Sequence, residues 1–211
     1  MDGHLTLDVG ISERPWVTGW IRTEPAKEQM ADELDDVKAS LAGDGAAYRR
    51  IVERYQGHVS RILWYFTRDP DTHAELIQEA FVQAYLSLPG FKAKAGLGHW
   101  LATVATRVGY RYWRQTARQK ARDAAQTGLS QQVSGPLEEL TAAEAAELVH
   151  RLLARLPPRD RLVLTLRYLE GCSVEETSRR TGWTTTMVKV QTLRARRRLG
   201  LLLRSSQGQI P

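Results

Sequence analysis

The stretch Val174–Leu199, VEETSRRTGWTTTMVKVQTLRARRRL, decides the fold of its half of the chain. Ser178, Gly182 and Val188 stand at offsets of four and ten. A helix-turn-helix needs a small residue where its first helix meets the second, a left-handed residue in the turn, and an apolar residue on the inner face of the second helix. Gly182 adopts a positive φ at no steric cost. The spacing predicts helices over Val174–Thr181 and Thr184–Leu203, with Thr184 as the N-cap of the second. Val188, Thr192, Ala195 and Leu199 then form an inner stripe. Lys189, Val190, Leu193, Arg194 and Arg197 fall mostly on the other side. Such a helix fits the major groove of duplex DNA, and the run Arg194–Arg198 suits phosphates.

Working outward, Glu138–Leu156 is an amphipathic helix broken by Pro157-Pro158, and Arg159–Leu169 is another, ended by Gly171. Residues 123–136, rich in Ala, Gln, Thr, Gly and Ser, read as a linker. Before it lies a second block with helical periodicity: Asp32–Leu41, Ala46–Phe66, Thr72–Leu88 with Asp71 or Thr72 as N-cap, a loop from Phe91 to His99, and a basic helix from Trp100 to about Arg122. Leu76, Ile77, Ala80, Phe81 and Tyr85 form the expected inner face of the third of these helices, and Trp100 and Tyr112 are expected in the core. The class is all-α: two small helical domains, 31–122 and 137–204, joined by a flexible linker, the second containing the helix-turn-helix. Residues 1–30 read as a flexible extension and 205–211 as a tail.

The charge follows this division. The net charge is +6, but Ala80–Arg122 and Thr177–Pro211 each carry eight Lys or Arg and no acid. The remainder is therefore at 6 − 16 = −10. Two basic stretches separated by acidic sequence suit two contacts on one long polyanion. Cys172 is the only cysteine, which excludes an intrachain disulfide and a cysteine-rich zinc site. No window approaches ~18 consecutive apolar residues, and no signal-peptide pattern opens the chain, so the expected location is the cytoplasm. No phosphate-cradling, HExxH or paired-cysteine motif is present, and His4, His58, His73, His99 and His150 lack ligand spacing. No catalytic residue, metal or cofactor is expected.

Four segments of the second block are similar to the fourth conserved region of bacterial RNA polymerase sigma factors, of the extracytoplasmic-function (ECF) group. They are Leu156–Arg161 (LPPRDR), Leu166–Gly171 (LRYLEG), Ser173–Glu176 (SVEE), and Val188-Lys189 through Arg194–Arg196. In the first block, Glu75–Phe81 (ELIQEAF) resembles that family's second region, and Phe91 through Trp100-Leu101 its promoter-melting segment. The resemblance spans about Met30 to Leu203 in the family's order. Thr177, Thr181 and Thr192 stand where the family has aliphatic residues, and Trp183 where it has a smaller one. Lys94 stands where an acid is common, and Leu97 where Phe is common.

The resemblance implies a transcription initiation factor whose partners are core RNA polymerase, promoter DNA as duplex and as melted strand, and an anti-sigma or other regulatory protein. It assigns the upstream (minus-thirty-five) element to Arg167, Thr184, Thr185, Thr186, Lys189, Val190, Leu193, Arg194 and Arg197. It assigns the minus-ten element and its melting to Phe91, Lys92, Lys94, Leu97, Arg107, Tyr110, Arg111, Trp113 and Arg114. Glu75, Gln78 and Glu79 would meet the polymerase. The alternative is a stand-alone helix-turn-helix regulator that binds operators as a dimer.

Overall fold

The computed structural model describes residues 27–93, 95–127 and 141–207. Residues 128–136 of the expected linker, 208–211 of the expected tail, Lys94 and residues 1–26 lie outside them, whereas residues 123–127 and 205–207, expected in linker and tail, continue the helices that end at Thr127 and Gln207. Every regular element among the described residues is helical.

The first block is built from α1 (Lys27–Leu41), α2 (Gly45–Trp64), α3 (Pro70–Ser87) and α4 (Leu97–Thr127). Asp44 caps α2 by accepting from the amides of Ala46 and Ala47, at 2.8 and 3.3 Å. The cap of α3 is Asp69 rather than the expected Asp71 or Thr72. Its carboxylate accepts from the Thr72 amide at 2.8 Å, and Pro70 starts the helix because its missing N–H costs nothing there. These hydrogen bonds to Thr72 hold the exposed Asp69 carboxyl below its usual range.

The apolar faces meet where the periodicity placed them. Ile51, Val59, Ile62 and Leu63 of α2, Leu76, Ala80, Phe81 and Ala84 of α3, and Leu101, Ala102, Ala105 and Val108 of α4 are all buried. Tyr85 departs from that reading. It is 48% exposed at the edge of α3, with its ring edge-on to Tyr48 at 4.9 Å. Tyr112 and Trp100 are half-buried against the core. Polar bonds fasten α1 to α2: Tyr55 donates to Glu33 at 2.5 Å, and Arg50 and Arg54 pair with Asp36.

The second block comprises α5 (Ala142–Ala154), α6 (Pro158–Leu164), α7 (Val174–Thr181) and α8 (Thr185–Gln207). A capping box opens α5: the Glu144 amide donates to Thr141 Oγ1, and the Glu144 carboxylate accepts from the Thr141 amide. The helix expected over Arg159–Leu169 divides in two. After α6 the chain widens into a π-turn over Thr165–Leu169, closed by a Glu170 amide bond to the Thr165 carbonyl at 2.9 Å. Helices α6 and α7 pack on α8, whose Val188 and Ala195 are fully buried.

The two blocks also pack on each other, which the sequence did not announce. Helix α7 lies on α4, and α6 touches it as well. Leu162, Leu166 and Cys172 share one buried cluster with Phe66, Leu101 and Trp113.

Candidate nucleic-acid interface

The turn between α7 and α8 has the geometry its residues require. Gly182 lies at φ 75°, and its amide donates to the Ser178 carbonyl. Ser178 donates in turn to the Trp183 carbonyl at 2.5 Å, tying the first helix to the start of the second. Thr184 Oγ1 accepts from the Met187 amide at 3.2 Å and caps α8. The three threonines standing at aliphatic positions of the resembled family satisfy themselves locally. Thr177, Thr181 and Thr192 donate to the carbonyls of Ser173, Thr177 and Val188, each four residues back. Thr177 is thus fully buried without an orphaned hydroxyl.

One face of α8 is offered to solvent. Thr184, Thr185, Thr186, Lys189, Val190, Leu193, Arg194 and Arg197 are all exposed, on a face unobstructed by α6 and α7. Arg167 is half-buried and donates to the Cys172 carbonyl, so it stands in the π-turn and not on α8. The pitch of α8 is set from behind. Asp160, 1% exposed, accepts from Gln191 and Arg198, both on α8. Sequence reading had passed over Asp160. Its signal was an acid just inside the Pro-started helix, and its partners lie more than thirty residues away.

A second polar group lies behind α7. Arg180 bridges Glu170 at 2.5 Å and Glu176 at 2.6 Å. Burial pushes the Glu170 carboxyl up to about 7, although Arg180 pulls the other way. Burial likewise pushes the Cys172 thiol up to about 12.

The residues expected at a melted strand divide into two groups. Lys92, Arg107, Arg111 and Arg114 are exposed, and Phe91 and Tyr110 are half-buried, with Arg114 over the Tyr110 ring at 5.9 Å. Leu97 and Trp113 are placed differently from the expectation. Leu97 opens α4 and is 1% exposed, because its position falls on the helix face turned toward the core. Trp113 is 4% exposed, its indole N–H donating to the Phe66 carbonyl at 2.7 Å and its ring packed 4.3 Å from Phe66. The loop before α4 contains Ala93 in left-handed backbone, φ 52°.

Glu75, Gln78 and Glu79 are all exposed on α3. Glu79 pairs with Arg111, so one residue expected to meet the polymerase is tied to one expected to meet DNA. Beside Gln78 runs an apolar groove of about 670 Å³ between α2 and α3, lined by Tyr48, Val52, Ile77, Val82, Tyr85 and Leu86. Val82 and Leu86 belong to no inner-face periodicity, and both are exposed. Among the described residues there is no cluster of metal-ligating side chains, and no helix is long and apolar enough to cross a membrane.

Residues 51–119 match the family described as Sigma-70 region 2, and residues 146–199 match Sigma-70, region 4. Among curated proteins, the ECF RNA polymerase sigma-E factor of Escherichia coli strain K12 is 28% identical over 158 residues, covering 71% of this chain and 82% of that protein. The sigma-E factor of Haemophilus influenzae is 28% identical over 159 residues, covering 70% and 84%. Among solved structures, CnrH in complex with the cytosolic domain of CnrY aligns with a TM-score of 0.54 at 20% identity, covering 83% of this chain and 98% of that one. The sigma factor RpoE in complex with the anti-sigma factor NepR from Bartonella quintana aligns at 0.50 and 18%, covering 74% and 96%. These two share the fold.

Proposed function

This chain belongs to the ECF group of the sigma-70 family, and from that premise we propose that it joins core RNA polymerase and selects promoters through two DNA contacts, one on α8 and one on α4. It is a transcription initiation factor, and it works in the cytoplasm with the polymerase. The second contact distinguishes it from a stand-alone operator-binding regulator, because the N-terminal block matches Sigma-70 region 2.

The observation that carries the reading is the exposed face of α8. Thr184, Thr185 and Thr186 present hydroxyls at the positive end of the helix, where phosphates bind. Lys189, Arg194 and Arg197 follow along the groove-facing side. Lys and Arg donate to phosphates or guanine edges, whereas Val190 and Leu193 touch thymine methyls. Arg167, set back in the π-turn, reaches a flanking phosphate. The minus-thirty-five element is thereby read as duplex.

The minus-ten element falls to the other basic surface. Opening a duplex without ATP requires capture of the unpaired bases, each stacked base contributing ~1–3 kcal/mol. Phe91 and Tyr110 supply ring faces, and Lys92, Arg107, Arg111 and Arg114 hold phosphates. Glu75, Gln78 and Glu79 meet the polymerase, together with the apolar groove beside them. An anti-sigma protein is a further partner, as NepR is for RpoE in the structure named above.

The test is run-off transcription by purified core polymerase on the promoter of the chain's own gene, with wild type and Arg194→Ala. Wild type starts specific transcripts. Arg194→Ala loses ~1–3 kcal/mol of promoter discrimination if Arg194 reads a base. No transcript with wild type, and no co-elution with core enzyme, removes the reading.

A further inference from the structure

Helix α3 is apolar on two sides. Its inner side, with Leu76, Ala80, Phe81 and Ala84, is buried in the core. On its outer side Val82, Tyr85 and Leu86 are 49%, 48% and 67% exposed. With Tyr48, Val52 and Ile77 they line the groove of about 670 Å³ between α2 and α3. The floor of that groove is fixed. The Tyr48 hydroxyl donates to the Phe81 carbonyl at 2.5 Å, and its ring meets Tyr85 edge-on. A contiguous exposed apolar patch of this kind marks a surface that another segment or partner covers.

The chain carries a segment suited to it. Residues 1–26 lie outside the described structure. Trp16 and Trp20, two of the six Trp in the chain, stand four apart, with Val17 and Ile21 beside them at the same step. Promoter reading gives these four residues no task. Large aromatic side chains anchor contacts by filling apolar pockets, and Trp is the strongest of these anchors.

The fold delivers this segment to one end of the groove. Tyr55 bonds Glu33, and Asp36 pairs with Arg50 and Arg54, so α1 runs antiparallel to α2. Going back from Glu33 to Lys27 adds a rise of ~9 Å along α2. The start of α1 therefore lies toward the end of the groove that Gln56 and Ala74 close. Trp20 stands seven positions before Lys27. Extended backbone carries it up to about 25 Å from there. That exceeds the ~10–12 Å width of the helix it has to cross. A segment tethered this closely acts at an effective concentration in the millimolar range, which a partner in solution has to overcome.

We propose that residues 16–21, anchored by Trp16 and Trp20, occupy the groove between α2 and α3 in the free chain. Gln78 lines the same groove, so the segment covers part of the surface assigned above to the polymerase, and docking displaces it. The displacement rests on the sigma-factor reading; the occupancy is a property of the chain alone.

A photo-reactive benzophenone amino acid at position 20 of the full chain tests the occupancy, with its cross-links mapped by mass spectrometry. The expected product is intramolecular and joins position 20 to residues 45–56 or 74–86. It should be lost in Leu86→Asp, a change at an exposed position outside the core. Cross-links to other segments, cross-links only to a second copy, persistence in Leu86→Asp, or no cross-link at all overturn the occupancy. Affinity for core polymerase is the second readout. Trp16→Ala combined with Trp20→Ala should bind ~10-fold more tightly than wild type, as expected where the groove is open about one-tenth of the time. Equal or weaker binding overturns the masking. If neither wild type nor variant binds polymerase, the sigma-factor reading has failed, and the cross-link still decides whether the segment sits in the groove.

Discussion

Gly109 lets the Phe66 ring lie against the backbone of α4: a Cβ at position 109 would fall 2.4 Å from the ring. Phe66 is 1% exposed and also packs on Trp113, so it has no free direction in which to retreat. Gly109→Ala is therefore expected to destabilise the first block by ~1–3 kcal/mol, an overpacking cost that outweighs the helix propensity gained. Gly182 provides the contrast, since nothing lies within 4 Å of a Cβ there and only its φ of 75° opposes a side chain. Gly182→Asn should cost about 1 kcal/mol or less, because Asn tolerates left-handed backbone. Urea unfolding of the two variants checks the difference; equal losses would contradict it.

Asp160 anchors α8 from the side away from DNA. Replacing it with Ala strands Gln191 and leaves Arg198 without its carboxylate. A loss of about 1.5–3 kcal/mol is expected, the usual worth of hydrogen bonds to a charged group, with the lower end favoured because Arg198 is half exposed. Hydrogen exchange should speed up in α8 and remain unchanged in α2 and α3. Uniform acceleration across the chain would argue against a local anchor.

Contacts to phosphates declare themselves in the salt dependence. Lys189→Ala and Arg197→Ala are each expected to lower the slope of log K against log salt for promoter duplex by about 0.9, one released counterion apiece. The measurement is a titration of the polymerase complex at several salt concentrations. An unchanged slope in both variants would show that these side chains remain solvated in the complex.

His150 makes the packing around Arg161 sensitive to acid. Burial first, then Arg161 and Arg68, push the imidazole down to about 4. An unfolded chain has a histidine near ~6.5. Between these values the unfolded state binds more protons, so stability falls as pH drops from ~6.5 toward about 4, and the loss is complete below it. His150→Asn should reduce the slope of stability against pH by up to about one proton in that window. Denaturant midpoints of both proteins from pH 4 to 7 provide the check. Superimposable curves would refute the assignment.

Much of the fold was written in local pattern. The offsets of Ser178, Gly182 and Val188, the three- and four-residue steps of Ile51, Tyr55, Val59 and Ile62, and the break at Pro157-Pro158 each follow from backbone sterics and helical period. Those act within a few residues and need no partner. The solvent-facing set on α8 was legible for the same reason, because the inner stripe leaves only one face for Lys189, Arg194 and Arg197.

What periodicity could not rank was aromatic residues on a helix with two buried sides. Sequence alone determined the all-helical class, the helix-turn-helix and the division of basic charge into two surfaces. Only the tertiary structure decided that Leu97 and Trp113 belong inside, that Asp160 holds α8 across thirty residues, and that Trp183 closes one block onto the other. Burial against a distant segment depends on which surfaces meet, and that is fixed by the summed packing of both blocks rather than by any residue's own neighbours.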